Sequence, residues 1–125
     1  MRLLLDTHIF LWLTADSPKL TARARDLIQR ASEVDVSSVT IWEVAIKSRI
    51  GKMNADPDEL LLEIAKCGFR ELPILGRHAV TVARLPLLHS DPFDRLLVAQ
   101  AISETMHLLT ADEKLLEYSD LVVHV

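Results

Sequence analysis

A chain of 125 residues and 14.1 kDa has room for one hydrophobic core and is too short for two ordinary domains, so a single domain over 1–125 is expected. It is 50% hydrophobic and 26% charged with only three glycines, which excludes disordered, fibrous and low-complexity classes. A formal net charge of −4 argues against a passive nucleic-acid-binding module, which would meet phosphate with a basic surface.

In chain order, Arg2 to Leu5 predicts a first strand, apolar enough to be buried on both faces. A short apolar helix over Ile9 to Leu13 follows, then a loop at Ala15 to Lys19. From Leu20 the apolar positions Leu20, Ala24, Leu27, Ile28 and Ala31 recur at helical spacing with Arg23, Asp26 and Arg30 between them, which predicts an amphipathic surface helix. Val34 to Val36 is a second strand, and Ser37 or Ser38 caps a helix that runs to about Ile50 and stops at Gly51. Asp56-Pro57 opens another helix, with Leu60, Leu61 and Ile64 as its buried side and its end near Gly68. Phe69 to Ile74 is the third strand, and a brief helix covers His78 to Ala83. Asp91-Pro92 starts the most apolar helix, whose two apolar stripes predict cover on most sides. Met106 to Thr110 and Leu121 to His124 complete the strands. This alternation predicts an α/β fold, a three-layer α/β/α domain around a parallel five-stranded sheet.

Several further classes are limited by what is missing. Ile9 to Leu13, the most apolar early stretch, is five residues long, far short of a membrane span. No basic segment, long apolar core and small-residue cleavage site open the chain, so a cytoplasmic location is the expectation. Cys67 is the only cysteine, which rules out an intrachain disulfide and a cysteine-based zinc site. The mean hydropathy of +0.21 is high for so small a sphere and points to apolar surface at an interface.

The chemistry lies in four carboxylates. Ligands of an open parallel sheet bind outside the carboxyl ends of its strands. Asp6 and Asp112 fall at or just past strand ends, while Glu43 and Asp94 are expected in the first turns of helices that leave the sheet. Two unit charges at about 4 Å repel by roughly 4 kcal/mol at an effective dielectric near 20, so four carboxylates on one rim need a cation. An all-oxygen set favours Mg²⁺ or Mn²⁺, which can activate water and stabilise charge on a phosphate under attack. Setting the four aside leaves 14 acidic against 14 basic residues, a neutral remainder.

Each acid also has a purely structural reading. Asp6, Asp91 and Asp112 can each cap a helix, and Asp56-Pro57-Asp58-Glu59 repeats the layout of Asp91 to Asp94, so capping alone explains Asp91 well. Glu43 can close a capping box with Thr40 and pair with Lys47. The five histidines lack paired zinc-enzyme spacing and receive no role. Lys47, Arg49 and Lys52 form a basic group that reads as a solvated face more readily than as a guide for RNA. Trp12 and Trp42 read as core or interface in preference to base-stacking platforms.

Leu4-Leu5-Asp6-Thr7-His8, Ser38 through Glu43-Val44, His89 through Asp94 to Ala101, and Leu108 to Asp112 together closely resemble the PIN-domain family. Within it the likeness is to VapC-type toxins of type II toxin–antitoxin pairs, and it covers nearly the whole chain. It implies Asp6, Glu43, Asp94 and Asp112 as an acidic quartet around Mg²⁺ or Mn²⁺, with Asp91, Thr110 and Ser38 as auxiliary polar groups. It further implies strand order 3-2-1-4-5, a homodimer, a VapB-like antitoxin in the active-site groove, and an endoribonuclease that cleaves RNA by metal-activated water. Two alternatives remain. One is an aspartyl-phosphatase type of domain with Asp6 as nucleophile, although His8 stands where such enzymes commonly carry a second carboxylate. The other is a PIN-like module that binds RNA or protein without turnover.

Overall fold

The computed structural model describes residues 1–125. Strand β1, Arg2–Leu5, carries three leucines with no exposure at all, and a strand buried on both faces must have neighbours on both edges and helices on both sides. It pairs in parallel with β2, Glu33–Ser37, and with β4, His107–Thr110; β3, Arg70–Leu72, and β5, Val122–His124, form the edges. The order is β3-β2-β1-β4-β5, as the resemblance implied.

Parallel pairing requires long crossovers, and helices supply them. Helices α1, Thr7–Thr14, and α2, Ala22–Arg30, join β1 to β2; α3, Ser38–Arg49, and α4, Pro57–Lys66, join β2 to β3. Helices α5, Gly76–Val82, and α6, Pro92–Glu104, lead to β4, and a 3-10 helix over Glu113–Tyr118 precedes β5. Alternation along the strands divides the interior in two. Leu3, Leu5, Val34, Val36 and Leu109 face Phe10, Ile28, Val44 and Ile64 of the first four helices. Leu4, Leu72, Leu108 and Val122 face Leu97, Val98 and Ala101 of α6. The result is the expected three-layer α/β/α sandwich.

Helix starts are fixed by side-chain caps that take up otherwise orphaned amides. The Ala24 N–H donates to the Thr21 hydroxyl at 3.1 Å, so α2 begins two residues later than its apolar periodicity suggests, and buried Leu20 lies before the cap. Ser37, and not Ser38, caps α3. On α4 Leu60 and Ile64 are buried, but Leu61 is exposed, because it sits a hundred degrees around the helix from Leu60. Strand β3 is shorter than expected: Pro73 has no N–H to extend the ladder.

Helix α6 is central, as its double apolar stripe indicates, with every residue from Leu97 to Ala101 buried. Its one fully buried polar side chain, Gln100, accepts from the Ser37 hydroxyl at 2.5 Å and donates to the Pro73 carbonyl at 3.2 Å. Gln100 therefore ties α6 to the ends of β2 and β3, and fixes where the first turn of α6 falls.

The helix ends on Thr105, an exposed β-branched residue with φ of 54°, in the left-handed region that strains it. Thr105→Gly is expected to stabilise the chain by about 1 kcal/mol and raise Tm by a few degrees in a thermal melt.

Candidate active site

From β1 the chain builds outward through β2 and β3, then returns to place β4 on the other side of β1. The switch between β1 and β4 opens a crevice at their carboxyl ends, since the connections leave in opposite directions. Asp6 and Thr110 meet at that point. The Asp6 N–H donates to the Leu109 carbonyl at 2.9 Å, and the Thr110 hydroxyl donates to Asp6 Oδ2 at 2.6 Å. Asp6 Oδ1 accepts from the Thr7 amide at 2.7 Å, so the acid caps α1 while its carboxylate is held in one orientation. Burial raises the Asp6 pKa, and the bonds from Thr110 and Thr7 work against that rise.

Glu43 stands in the second turn of α3, not the first, and is buried. With Ser37 as cap, Thr40 lies inside the helix and closes no capping box; its hydroxyl contacts that of Thr7 at 3.0 Å. Thr7 in turn donates to Glu43 Oε1 at 2.7 Å. Glu43 Oε2 accepts from Lys47, as the i,i+4 spacing indicates, and that bond raises the Lys47 pKa. Lys47 is thereby turned into the site, while Arg49 and Lys52 are exposed.

Asp94 is the third residue of α6, and Asp91 is that helix's cap, accepting from the Phe93 and Asp94 amides at 2.9 and 3.1 Å. The Asp94 pKa is pushed up to about 7, by burial first and then by the negative charges of Asp6, Asp91, Glu43 and Asp112. Each of the other expected carboxylates thus acts on Asp94. Asp112 Oδ1 caps the 3-10 helix through the Lys114 amide at 3.0 Å, and its own N–H donates to the Thr110 hydroxyl at 3.0 Å.

Two expectations change. Ser38 donates to Glu71 on β3 at 2.8 Å and takes no part in this cluster. His89, given no role from sequence, has Nε2 3.7 Å from Asp94 Oδ2 and 3.7 Å from Asp112 Oδ2. Thr7 and Thr40 were also missed, although adjacency to Asp6 and the i−3 spacing from Glu43 were visible signals. Trp42 packs edge-on against Phe93 with ring centroids 4.8 Å apart and remains about half exposed, while Trp12 is half-buried against the first core.

The donor set fits a hard divalent cation: it is rich in carboxylate oxygen, partly buried, and its nearest ammonium is committed to Glu43. An acid lifted to about 7 by burial and then by its neighbours' charges is what such a set gives when no cation offsets them.

A family model for the PIN domain matches residues 3–121, nearly the whole chain, and the chain belongs to that family. It is 31% identical over 114 residues to Ribonuclease VapC22 of Mycobacterium tuberculosis, covering 90% of this chain and 88% of that one. Among solved structures, VapBC2 from Rickettsia felis bound to a promoter DNA fragment has a TM-score of 0.67 at 16% identity, with 100% of this chain and 98% of that one covered. FitAcB from Neisseria gonorrhoeae has a TM-score of 0.68 at 19% identity, covering 98% and 96%. These two share the fold.

Because the folded state holds Asp94 protonated up to about pH 7 while the unfolded chain releases that proton near 4, stability without metal falls as pH rises between those values. Asp94→Asn removes the charge and is expected to raise the Tm of metal-free protein at pH 8 by several degrees, with little effect at pH 4, in parallel melts.

Proposed function

We propose that this chain is an endoribonuclease toxin that hydrolyses RNA phosphodiester bonds with Mg²⁺ or Mn²⁺ held by Asp6, Glu43, Asp94 and Asp112, leaving 5′-phosphate and 3′-hydroxyl ends. The observation that carries this reading is the approach of four separately supplied carboxylates at the carboxyl ends of β1 and β4, where burial and then the charges of Asp6, Asp91, Glu43 and Asp112 lift Asp94 to about 7. PIN-domain membership and a relative named as a ribonuclease support the reaction class. A divalent ion in such a site supplies a polarised water and neutralises charge on the attacked phosphate.

The protein's own residues set the geometry. Thr110 bridges Asp6 and the Asp112 amide, so the acids after β1 and β4 keep a fixed spacing. Lys47 and Thr7 grip one oxygen each of Glu43 and keep it turned inward. Asp91 serves by capping the start of α6 and placing Asp94. Asp6 as a phosphoryl-accepting nucleophile is disfavoured, since both its oxygens accept short hydrogen bonds and the residue is only 5% exposed.

A VapB-like antitoxin and a second copy of the chain are the proposed protein partners. The relatives' solved complexes include antitoxin pairs, and exposed Ile46, Ile50, Leu62 and Leu87 offer apolar surface for such contacts. No helix is long and apolar enough to cross a membrane.

Purified, antitoxin-free protein is expected to cleave RNA with Mg²⁺ or Mn²⁺ and to lose about a hundredfold or more of that rate in chelator, as Asp6→Asn or as Asp94→Asn. Full activity in chelator or in both variants, followed on a labelled RNA, would sink the assignment.

A further inference from the structure

His89 sits on the loop between α5 and α6, and the loop is held in place around it. The Arg95 guanidinium donates to the Val82, Pro86 and His89 carbonyls at 3.3, 2.9 and 3.5 Å. The ring itself is oriented by the Asp91 N–H, which donates to Nδ1 at 3.1 Å. A ring nitrogen that accepts carries no proton, so this geometry selects the tautomer with hydrogen on Nε2. Nε2 is the atom aimed at the acids, equidistant at 3.7 Å from one oxygen of Asp94 and one of Asp112.

Distance and residue type alone would make His89, Asp94 and Asp112 a metal-binding trio, since their donor atoms lie within 4.8 Å of one another. The hydrogen bond at Nδ1 argues otherwise. A histidine that ligates through Nε2 presents a lone pair there and donates its Nδ1–H to an oxygen; His89 has the reverse polarity at both nitrogens. We propose that His89 is a positioning residue, whose Nε2–H faces Asp94 and Asp112 from 3.7 Å, outside direct hydrogen-bond range, draws one oxygen of each toward the imidazole electrostatically and leaves their remaining lone pairs to the cation. Asp91 then has two tasks: its carboxylate caps α6, which bears Asp94, and its amide sets the ring that steadies Asp94. This inference rests on the metal-dependent reading of the site.

The test uses the full chain, Mg²⁺ alone as probe, calorimetric affinity, and two-bond ¹H–¹⁵N correlation spectra of the imidazole. His89→Gln keeps a donor near the Nε2 position, whereas His89→Asn, one methylene shorter, can accept near Nδ1 and places no donor near Nε2. Wild type is expected to show the Nε2–H tautomer with and without Mg²⁺. His89→Gln is expected to bind Mg²⁺ within about threefold of wild type, and His89→Asn about tenfold more weakly, the usual effect of removing a partner that orients a ligand. Loss of the Nε2 proton on Mg²⁺ binding would make His89 a ligand and overturn the proposal, as would equal affinity in wild type and both variants. A wild-type protein that takes up no Mg²⁺ or Mn²⁺ sinks the nuclease reading itself, a result distinct from either of those.

Discussion

Repulsion among carboxylates gathered at the carboxyl ends of β1 and β4 is the constraint from which the rest of the site follows. Asp6, Glu43, Asp94 and Asp112 come from four elements, and only the doubly wound topology makes them neighbours. Three of them lie at helix starts, where the positive end of the helix dipole favours an anion by about 0.3–1 kcal/mol. A single carboxylate pair at close range costs roughly 4 kcal/mol at an effective dielectric near 20, so the dipoles cannot offset the cluster. Lys47 is bonded to Glu43, while burial and then the charges of Asp6, Asp91, Glu43 and Asp112 push Asp94 up to about 7.

A fold tolerates such a cluster only if the backbone beneath it is held by other means. Gln100 and Ser37 join α6 to the sheet inside the second core, Arg95 fastens the loop that precedes α6, and two apolar layers enclose β1. These contacts keep the acids from splaying apart.

Capping and metal holding are often weighed as rival explanations of an aspartate, but one carboxylate has oxygens for both. Asp6 and Asp112 each spend one oxygen on an amide of the element that follows, and that bond fixes the direction of the other oxygen. Asp91 shows the opposite outcome, with one oxygen serving two amides and the residue acting as cap and ring anchor. Asp56 has the same local sequence and caps α4 away from the strand ends. Identical local chemistry thus lies beside the other acids or apart from them according to where the strand order places it.

Much of this was legible in the amino-acid sequence, because local forces dominate strand and helix formation. The leucines of β1, the Asp-Pro starts of α4 and α6, the Glu43 to Lys47 pair and the acids that follow β1 and β4 are all short-range patterns, and the structure contains them. Tertiary structure decided what depends on contacts across the chain. It put Thr7 against Glu43, 36 residues away, and Thr110 against Asp6, 104 residues away. It sent the Ser38 hydroxyl to Glu71 and brought His89 between Asp94 and Asp112, although no histidine spacing marked it. Sequence by itself determined which residues could bear charge at the ends of strands; only the crossing of β1 and β4 at the centre of the sheet decided that those charges would share one crevice, because repulsion and hydrogen bonding act through space and the order of residues does not encode distance.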